Sequence, residues 1–291
     1  MVIEGREISK KRKIITEKVS YIILLLLTLI VIFFVFGIVI YLIVKGSSAI
    51  NWEFLSQKPG KGMREGGIFP AIVGTLYLIL GTFIFSLPVG VLAAIYINEY
   101  ASKNKFTSII RLSIINMSGV PSVVYGLFGL GFFVIMLKFG KSLLAGSLTL
   151  GLLILPVIIT STEEALRTVP DSYREASLAL GATTWQTVTK VVLPRALPGI
   201  ITGSVIGIGR AAGETAPIIF TVAAFSQPGL PDSIFSQVMA LPYHLYVLAT
   251  QLTNTPENMQ WGTALVLLII VLIFAIPASI IRSRLRLMRR E

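Results

Sequence analysis

The chain has 291 residues, of which 54% are hydrophobic and 13% charged, and its mean hydropathy is +0.83, which excludes a soluble globular domain. Its net charge of +11 does not indicate nucleic-acid binding, because the basic residues gather at the ends of apolar segments instead of along one face. The absence of cysteine excludes disulfides, zinc–thiolate sites and thiol catalysis.

Residues 1–19 form a basic tail carrying Arg6, Lys10, Lys11, Arg12, Lys13 and Lys18. Six windows then follow that are long enough to cross the roughly 30 Å hydrocarbon core. They lie near 20–44, 71–97, 110–137, 143–161, 196–224 and 262–281, so residues 20–281 read as one all-α membrane domain. The first is too long and uniform for a signal-peptide core and has no small-residue cleavage site after it, which makes it a retained anchor. Between the first two spans, Gly46-Ser-Ser, Lys58-Pro-Gly-Lys-Gly62 and Gly66-Gly67 have loop chemistry. Around Trp52 and Phe54 a loop and an amphipathic interfacial turn are equally compatible with the pattern. Pro88 and Gly90 interrupt the second span, which neighbouring helices can tolerate, and Pro156 lies in the fourth and shortest. The connection 225–261 has no Lys or Arg, and 282–291 is a second basic tail.

Eighteen Lys and Arg outside the spans fall on the side of the two tails, the second connection and the segment 163–194. Six fall on the other: Lys45, Lys58, Lys61, Arg64, Lys138 and Lys141. The bias places both termini and the segment 163–194 in the cytoplasm. The five arginines from Arg282 to Arg290 then mark the inner surface, where anionic headgroups lie, not a nucleic-acid patch.

Within 163–194, Ser172 and Glu175 are three apart, as are Thr183 and Gln186, and each pair has the form of a capping box. Gly181 between them suits the left-handed residue that ends a first helix, and Pro194 is expected to end the second. The expectation is a helix–Gly–helix elbow. Its sequence, Glu175-Ala176-Ser177 with Gly181 six positions after the Glu and Leu193-Pro194 at the close, resembles the "EAA" loop of ABC importer permeases. Ser177 stands where the pattern has a second Ala. The resemblance implies that Glu175, Ala176, Ser177, Gly181, Leu193 and Pro194 couple the chain to an ATP-hydrolysing subunit.

The fifth span carries Arg210 and Glu214, one helical turn apart, at a depth where ionisable groups are costly and usually face a bundle interior or water path. Gly203, Gly207, Pro217 and Thr221 continue their face. Gly199, Gly203 and Gly207, spaced by four, permit close helix approach. Two readings stand side by side: Arg210 as an anion-attracting or gating group with Thr221 on the same path, or the pair as a structural lock. Pro217 is a plausible kink.

Arg210-Ala-Ala-Gly-Glu-Thr-Ala-Pro217, Gly119-Val-Pro-Ser-Val-Val-Tyr-Gly126 and Gly66-Gly-Ile-Phe-Pro-Ala-Ile-Val-Gly74 resemble motifs of phosphate transport system permeases of the PstA type. The resemblance runs from about residue 66 through the sixth span. Ala216-Pro217, where the sister permease of that transporter has Met-Ala, favours PstA. The resemblance implies a type I ABC importer permease in a prokaryotic cell membrane. It further implies a second, dissimilar permease, a cytoplasmic ATPase dimer, an external binding protein and inorganic phosphate as substrate.

No cofactor is expected. Gly140-Lys141-Ser142 imitates the end of a nucleotide-binding loop, but Ile135 occupies the position of its first glycine. His244 is the single histidine, so no histidine metal cluster or Ser–His site can form, and its place in Leu241-Pro-Tyr-His suggests a loop or interfacial residue. The glycines at 126, 129 and 131 read as packing notches. Alternatives are a permease for another oxyanion, such as sulfate or molybdate, and a proton-coupled secondary transporter, for which Glu214 alone is a thin relay. A structural or sensory membrane protein is a third.

Overall fold

The structure, a computed structural model, describes residues 2–60, 63, 65–102, 104–225, 229–252 and 256–287. Lys61, Gly62, Arg64, Lys103, Arg289 and Arg290, used above, lie outside the described residues.

Helix α1 (Val2–Gly46) runs unbroken through the basic segment set apart above as a tail. None of its most apolar stretch is buried, as suits a lipid-facing anchor, and it meets the body at its end, where Tyr41 stands edge-on to Trp261 at 5.2 Å. The ambiguous connection is ordered. Asn51 caps the short α2 (Trp52–Ser56) by accepting from the Phe54 amide at 2.7 Å. Phe54 is buried and Trp52 exposed, and β1 (Pro59–Gly60) pairs antiparallel with β2 (Glu65–Gly66).

Helix α3 (Phe69–Ile95) absorbs Pro88 and widens into a π turn at Tyr96–Tyr100. The third span is not straight. It is α4 (Lys105–Ser118) and α5 (Ser122–Gly129, widening to π over Leu130–Met136), meeting at 103°. Pro121 has no amide to continue the ladder, and the Tyr125 hydroxyl donates to Met117 O at 2.9 Å across the bend. Helix α6 (Leu143–Arg167) exceeds its expected end by nearly two turns. Then come α7 (Asp171–Ala179), α8 (Thr184–Thr187, followed by a π segment Val188–Val192) and α9 (Leu193–Gly213). The short α10 (Ala216–Thr221), α11 (Leu241–Thr250) and α12 (Glu257–Leu287) complete the chain. Among the described residues, five helical stretches are long and apolar enough to cross a membrane, and the bent pair counted as one span makes six.

Helices α3, α6 and α9 form the centre, with α12 against α9 and α1 against α12. Gly199 and Gly203 admit α6: a methyl on either would collide with Ala165 Cβ or Ser161 Cβ. Gly207 has only ordinary contacts with Ile154 and Ile158, at 3.5 Å or more, so a methyl would fit. At the end remote from α7, the connection after α10 folds into the body. Ser142, Leu143 and Leu144, at the start of α6, donate to the carbonyls of Thr221, Ser236 and Ile234. Those amides would otherwise have no helical partner.

His244 corrects the expectation of a loop residue. It lies inside α11, 1% exposed, and neither ring nitrogen has a hydrogen-bond partner. Burial lowers its pKa to about 4. The unfolded chain takes up a proton as pH falls through 6.5 and the folded chain does not, so stability falls between pH 6.5 and 4 and is unaffected above. The loss approaches roughly 3 kcal/mol. Detergent-solubilised His244→Leu is expected to show a flatter melting temperature over that range than the parent. Equal slopes would mean that His244 is not the group that titrates.

Candidate functional site

Two arrangements stand out, one at the elbow and one at a break in the fifth span. The elbow forms, with two corrections. Helix α7 starts directly after Pro170, which takes the cap position, so Ser172 is already inside the first turn and the Ser172–Glu175 capping box does not form. The Thr183–Gln186 box forms in both directions, at 3.2 and 2.9 Å. Gly181 has φ +83°, with the Gly181 amide donating to Leu178 O and the Ala182 amide to Ser177 O. These two bonds make the left-handed helix ending expected of a glycine.

Pro194 does not stop the second helix. It sits in the first turn of α9, immediately after the π segment, so the helix continues from Thr184 to Gly213. Pro194 has no amide to donate inside this continuous helix, and the widened π turn Val188–Val192 directly before it is where the ladder departs from the regular pattern. Leu193 is half-buried beside Val188 and Val192 and Pro194 is exposed.

Glu175 and Ala176 are exposed, and α7 buries none of its residues. Ser177 explains its own departure from Ala: its hydroxyl lies 2.9 Å from that of Thr187 and ties the two arms together. Around them Leu180 is 89% exposed, with Trp185, Leu178 and Tyr173 also exposed. The same Tyr173 ring lies under the Arg195 guanidinium at 4.1 Å. An apolar crown of this kind on a polar turn marks a contact surface. The sequence motif does not include these apolar positions, although their presence in an otherwise polar turn was a usable signal.

Ion pairs at this end also escaped the sequence reading. Arg174 donates through Nε and Nη2 to the two carboxylate oxygens of Glu99, at 3.0 and 2.8 Å, through Nη1 to Val169 O at 2.7 Å and through Nη2 to Leu166 O at 2.9 Å. The Glu99 hydrogen bonds raise the Arg174 pKa above its usual value against the cost of burial. Arg111 and Arg167 both pair with Glu163. Glu99, Arg111, Arg167 and Arg174 wall a cleft of about 1330 Å³ between α7 and the start of α4. Carboxylates among the basic residues at one end of the spans were the available signal.

In the fifth span the charged pair is present, with Arg210 Nε 3.3 Å from Glu214 Oε1. Their side chains are 35% and 17% exposed. The helix around them is broken, not kinked. Pro217 cannot donate to the carbonyl of Gly213, four residues earlier, and α9 ends at Gly213. Glu214 is extended, with φ −75° and ψ 127°, and α10 restarts at Ala216.

The single stripe expected from Gly203 to Thr221 is therefore interrupted. Gly203 faces α6, while Thr221 is fully buried beyond the break and donates to Pro217 O at 2.8 Å. Two motifs separated in sequence meet here. A methyl on Gly126 would come within 2.9 Å of Pro217 Cα, and one on Gly129 would strike Thr149 and Thr221. Gly131 faces open space and is no notch. Glu214 also shares a crevice of about 10 Å³ with Thr75, Leu78 and Ile79 of α3.

The family model for a binding-protein-dependent transport system inner membrane component matches residues 86–287. The chain belongs to that family. This ABC importer permease is 36% identical over 255 residues to a probable ABC transporter permease protein, YqgI, of Bacillus subtilis, covering 83% of this chain and 86% of the relative. It is 37% identical over 243 residues to a probable phosphate transport system permease protein PstA of Methanocaldococcus jannaschii, covering 83% and 85%. With phosphate transport system permease protein PstA 1 of Mycobacterium tuberculosis it shares 37% over 221 residues, covering 75% and 71%. Among solved structures, a bacterial alginate ABC transporter matches with TM-score 0.67 at 17% identity, covering 94% of this chain and 96% of that one. The MetNI methionine ABC transporter matches with TM-score 0.56 at 21% identity, covering 75% and 94%. These two establish the type I importer fold and nothing about cargo. The permease is a multi-pass membrane protein and a subunit of a transporter.

Proposed function

We propose that this permease forms half of the translocation pathway of an ATP-driven importer of inorganic phosphate. The observation that carries the reading is identity of 37% to named phosphate permeases over most of the chain. Chemistry supports it at the break in the fifth span. Arg210 stays charged at any physiological pH, and its planar fork suits phosphate oxygens. Glu214 satisfies one of its nitrogens and leaves others to face an anion. The second half of the pathway comes from a dissimilar permease, and an external binding protein delivers the anion. The exposed elbow, with Glu175, Ala176, Leu178, Leu180 and Trp185, docks on a cytoplasmic ATPase. The eighteen-to-six charge bias supports both termini and the elbow being inside.

The test is reconstitution of the two permeases and the ATPase in vesicles with ATP enclosed and the binding protein outside. Uptake of labelled phosphate, unaffected by excess sulfate or molybdate, is expected. Competition by either oxyanion at equal concentration would reassign the substrate, and uptake driven by a proton gradient without ATP would reassign the mechanism. In intact cells an impermeant maleimide is expected to label a cysteine placed at Gly229 and not one placed at Leu178; the reverse pattern overturns the orientation.

A further inference from the structure

Helix α7 buries no residue, so side-chain ties hold it in place more than packing does. Two of those ties run to the chain that follows it: Ser177 to Thr187, and Tyr173 to Arg195. Among the described residues, the side-chain hydrogen bonds that leave α7 for a span distant in sequence are those of Arg174 to Glu99; the same guanidinium also donates to Leu166 O in α6, the helix that leads into α7. Glu99 lies in the π turn that ends α3, with its side chain 6% exposed, and that of Arg174 is 16% exposed. Both carboxylate oxygens are engaged, and Asn98 donates a further bond to Oε1 at 2.7 Å. A two-point charged fork in this setting fixes angle as well as distance, and salt screens it little. Toward its other end α3 places Thr75, Leu78 and Ile79 beside Glu214. One helix therefore joins the elbow to the charged break, over about 30 Å at the helical rise.

We propose that the Glu99–Arg174 fork is the strut through which displacement of α7 moves α3, and with it the wall of the charged break. This rests on the reading that the elbow docks the ATPase. Arg174 and Glu99 are positioning residues that act through α7 and α3. The second cluster differs in kind. Glu163 pairs with Arg111 of α4 and Arg167 of its own helix, so it joins α4 to α6 without touching the elbow helix.

The strut predicts a split between docking and transport. In the reconstituted complex three quantities are measured for each variant: ATPase recovered with the permease, ATP hydrolysed in the presence of binding protein, and phosphate taken up per ATP. Arg174→Lys keeps the charge but loses the planar fork. It is expected to retain ATPase recovery and hydrolysis while uptake per ATP falls about tenfold, in the range of coupling between sites. Glu99→Gln should behave alike. The chain has no cysteine of its own, so the pair Glu99→Cys with Arg174→Cys can be joined by a short thiol-specific cross-linker. Joining is expected to restore uptake per ATP, and cleaving the linker to lose it again.

Unchanged uptake per ATP in both Arg174→Lys and Glu99→Gln overturns the strut, as does loss of ATPase recovery in both with the permease still folded. The latter would place the pair in the docking surface. Failure of the parent permease to recover any ATPase sinks the docking reading itself, and is seen before any variant is made.

Discussion

Gly203→Val is expected to prevent recovery of folded permease from membranes, whereas Gly207→Ala should leave yield and melting temperature unchanged or slightly raised. The two glycines are one turn apart on α9 and look equivalent in sequence. At Gly203 an added Cβ meets Ser161 Cβ, which is fixed to the α6 backbone and has no rotamer to escape into. At Gly207 it meets the ends of Ile154 and Ile158 at 3.5 and 3.6 Å, an ordinary contact. Overpacking at Gly203 must therefore push α6 and α9 apart, at a cost on the order of 3 kcal/mol. The substitution at Gly207 removes backbone freedom from the unfolded chain and gains up to about 1 kcal/mol. The measurement is fluorescence-detected size-exclusion yield with thermal challenge for both variants. A monodisperse Gly203→Val with parental melting would show that the α6–α9 approach is not rigid.

The elbow was readable because its chemistry is local. A glycine needed at positive φ, and a Thr and Gln three apart, act on their own neighbours, and both recur in the structure. What failed locally failed through proline. Pro170 displaced the expected cap at Ser172, Pro194 lies within a helix it was expected to end, and Pro217 broke a helix it was expected to bend. A proline's effect depends on which carbonyl lies four residues before it, and that depends on where the helix began. The third span shows the same dependence at Pro121, where composition gave one continuous crossing and the chain turns through 103°. Composition also could not separate Gly207 from Gly203, because only the neighbouring helix tells them apart. The Arg174–Glu99 fork was missed for a different reason. Its partners are 75 residues apart, and Arg174 already had a sufficient explanation as a topological charge. The burial of His244 was equally non-local, since it follows from the connection folding back onto α3 and α12.

Phosphate uptake is expected to fall about a hundredfold in Arg210→Gln, the scale of removing one charged or hydrogen-bonding group from an anion path, while the complex still assembles. The guanidinium sits in the last turn of α9, half-exposed, with the helix unwound just beyond it and Glu214 holding Nε at 3.3 Å. Part of its donor set is therefore committed to orientation and part is open to an anion. Arg210→Lys restores charge without the fork and should recover a fraction of the rate. Glu214→Gln separates the two readings of the pair. If the carboxylate only orients Arg210, the amide still accepts a hydrogen bond and uptake falls several-fold with assembly intact. If the pair is a lock, removing one partner leaves a charge unpaired at a cost of about 3 kcal/mol, and assembly fails. The pair is not sealed inside this chain, with the Arg210 side chain 35% exposed, so the first outcome is the one expected. Uptake is normalised to assembled complex for Arg210→Gln, Arg210→Lys, Glu214→Gln and the neutral double variant. Near-parental uptake by Arg210→Gln would remove the charge from the mechanism. Restoration of both assembly and uptake in the double variant would leave the pair a structural lock, since a neutral pair has no positive charge to offer phosphate.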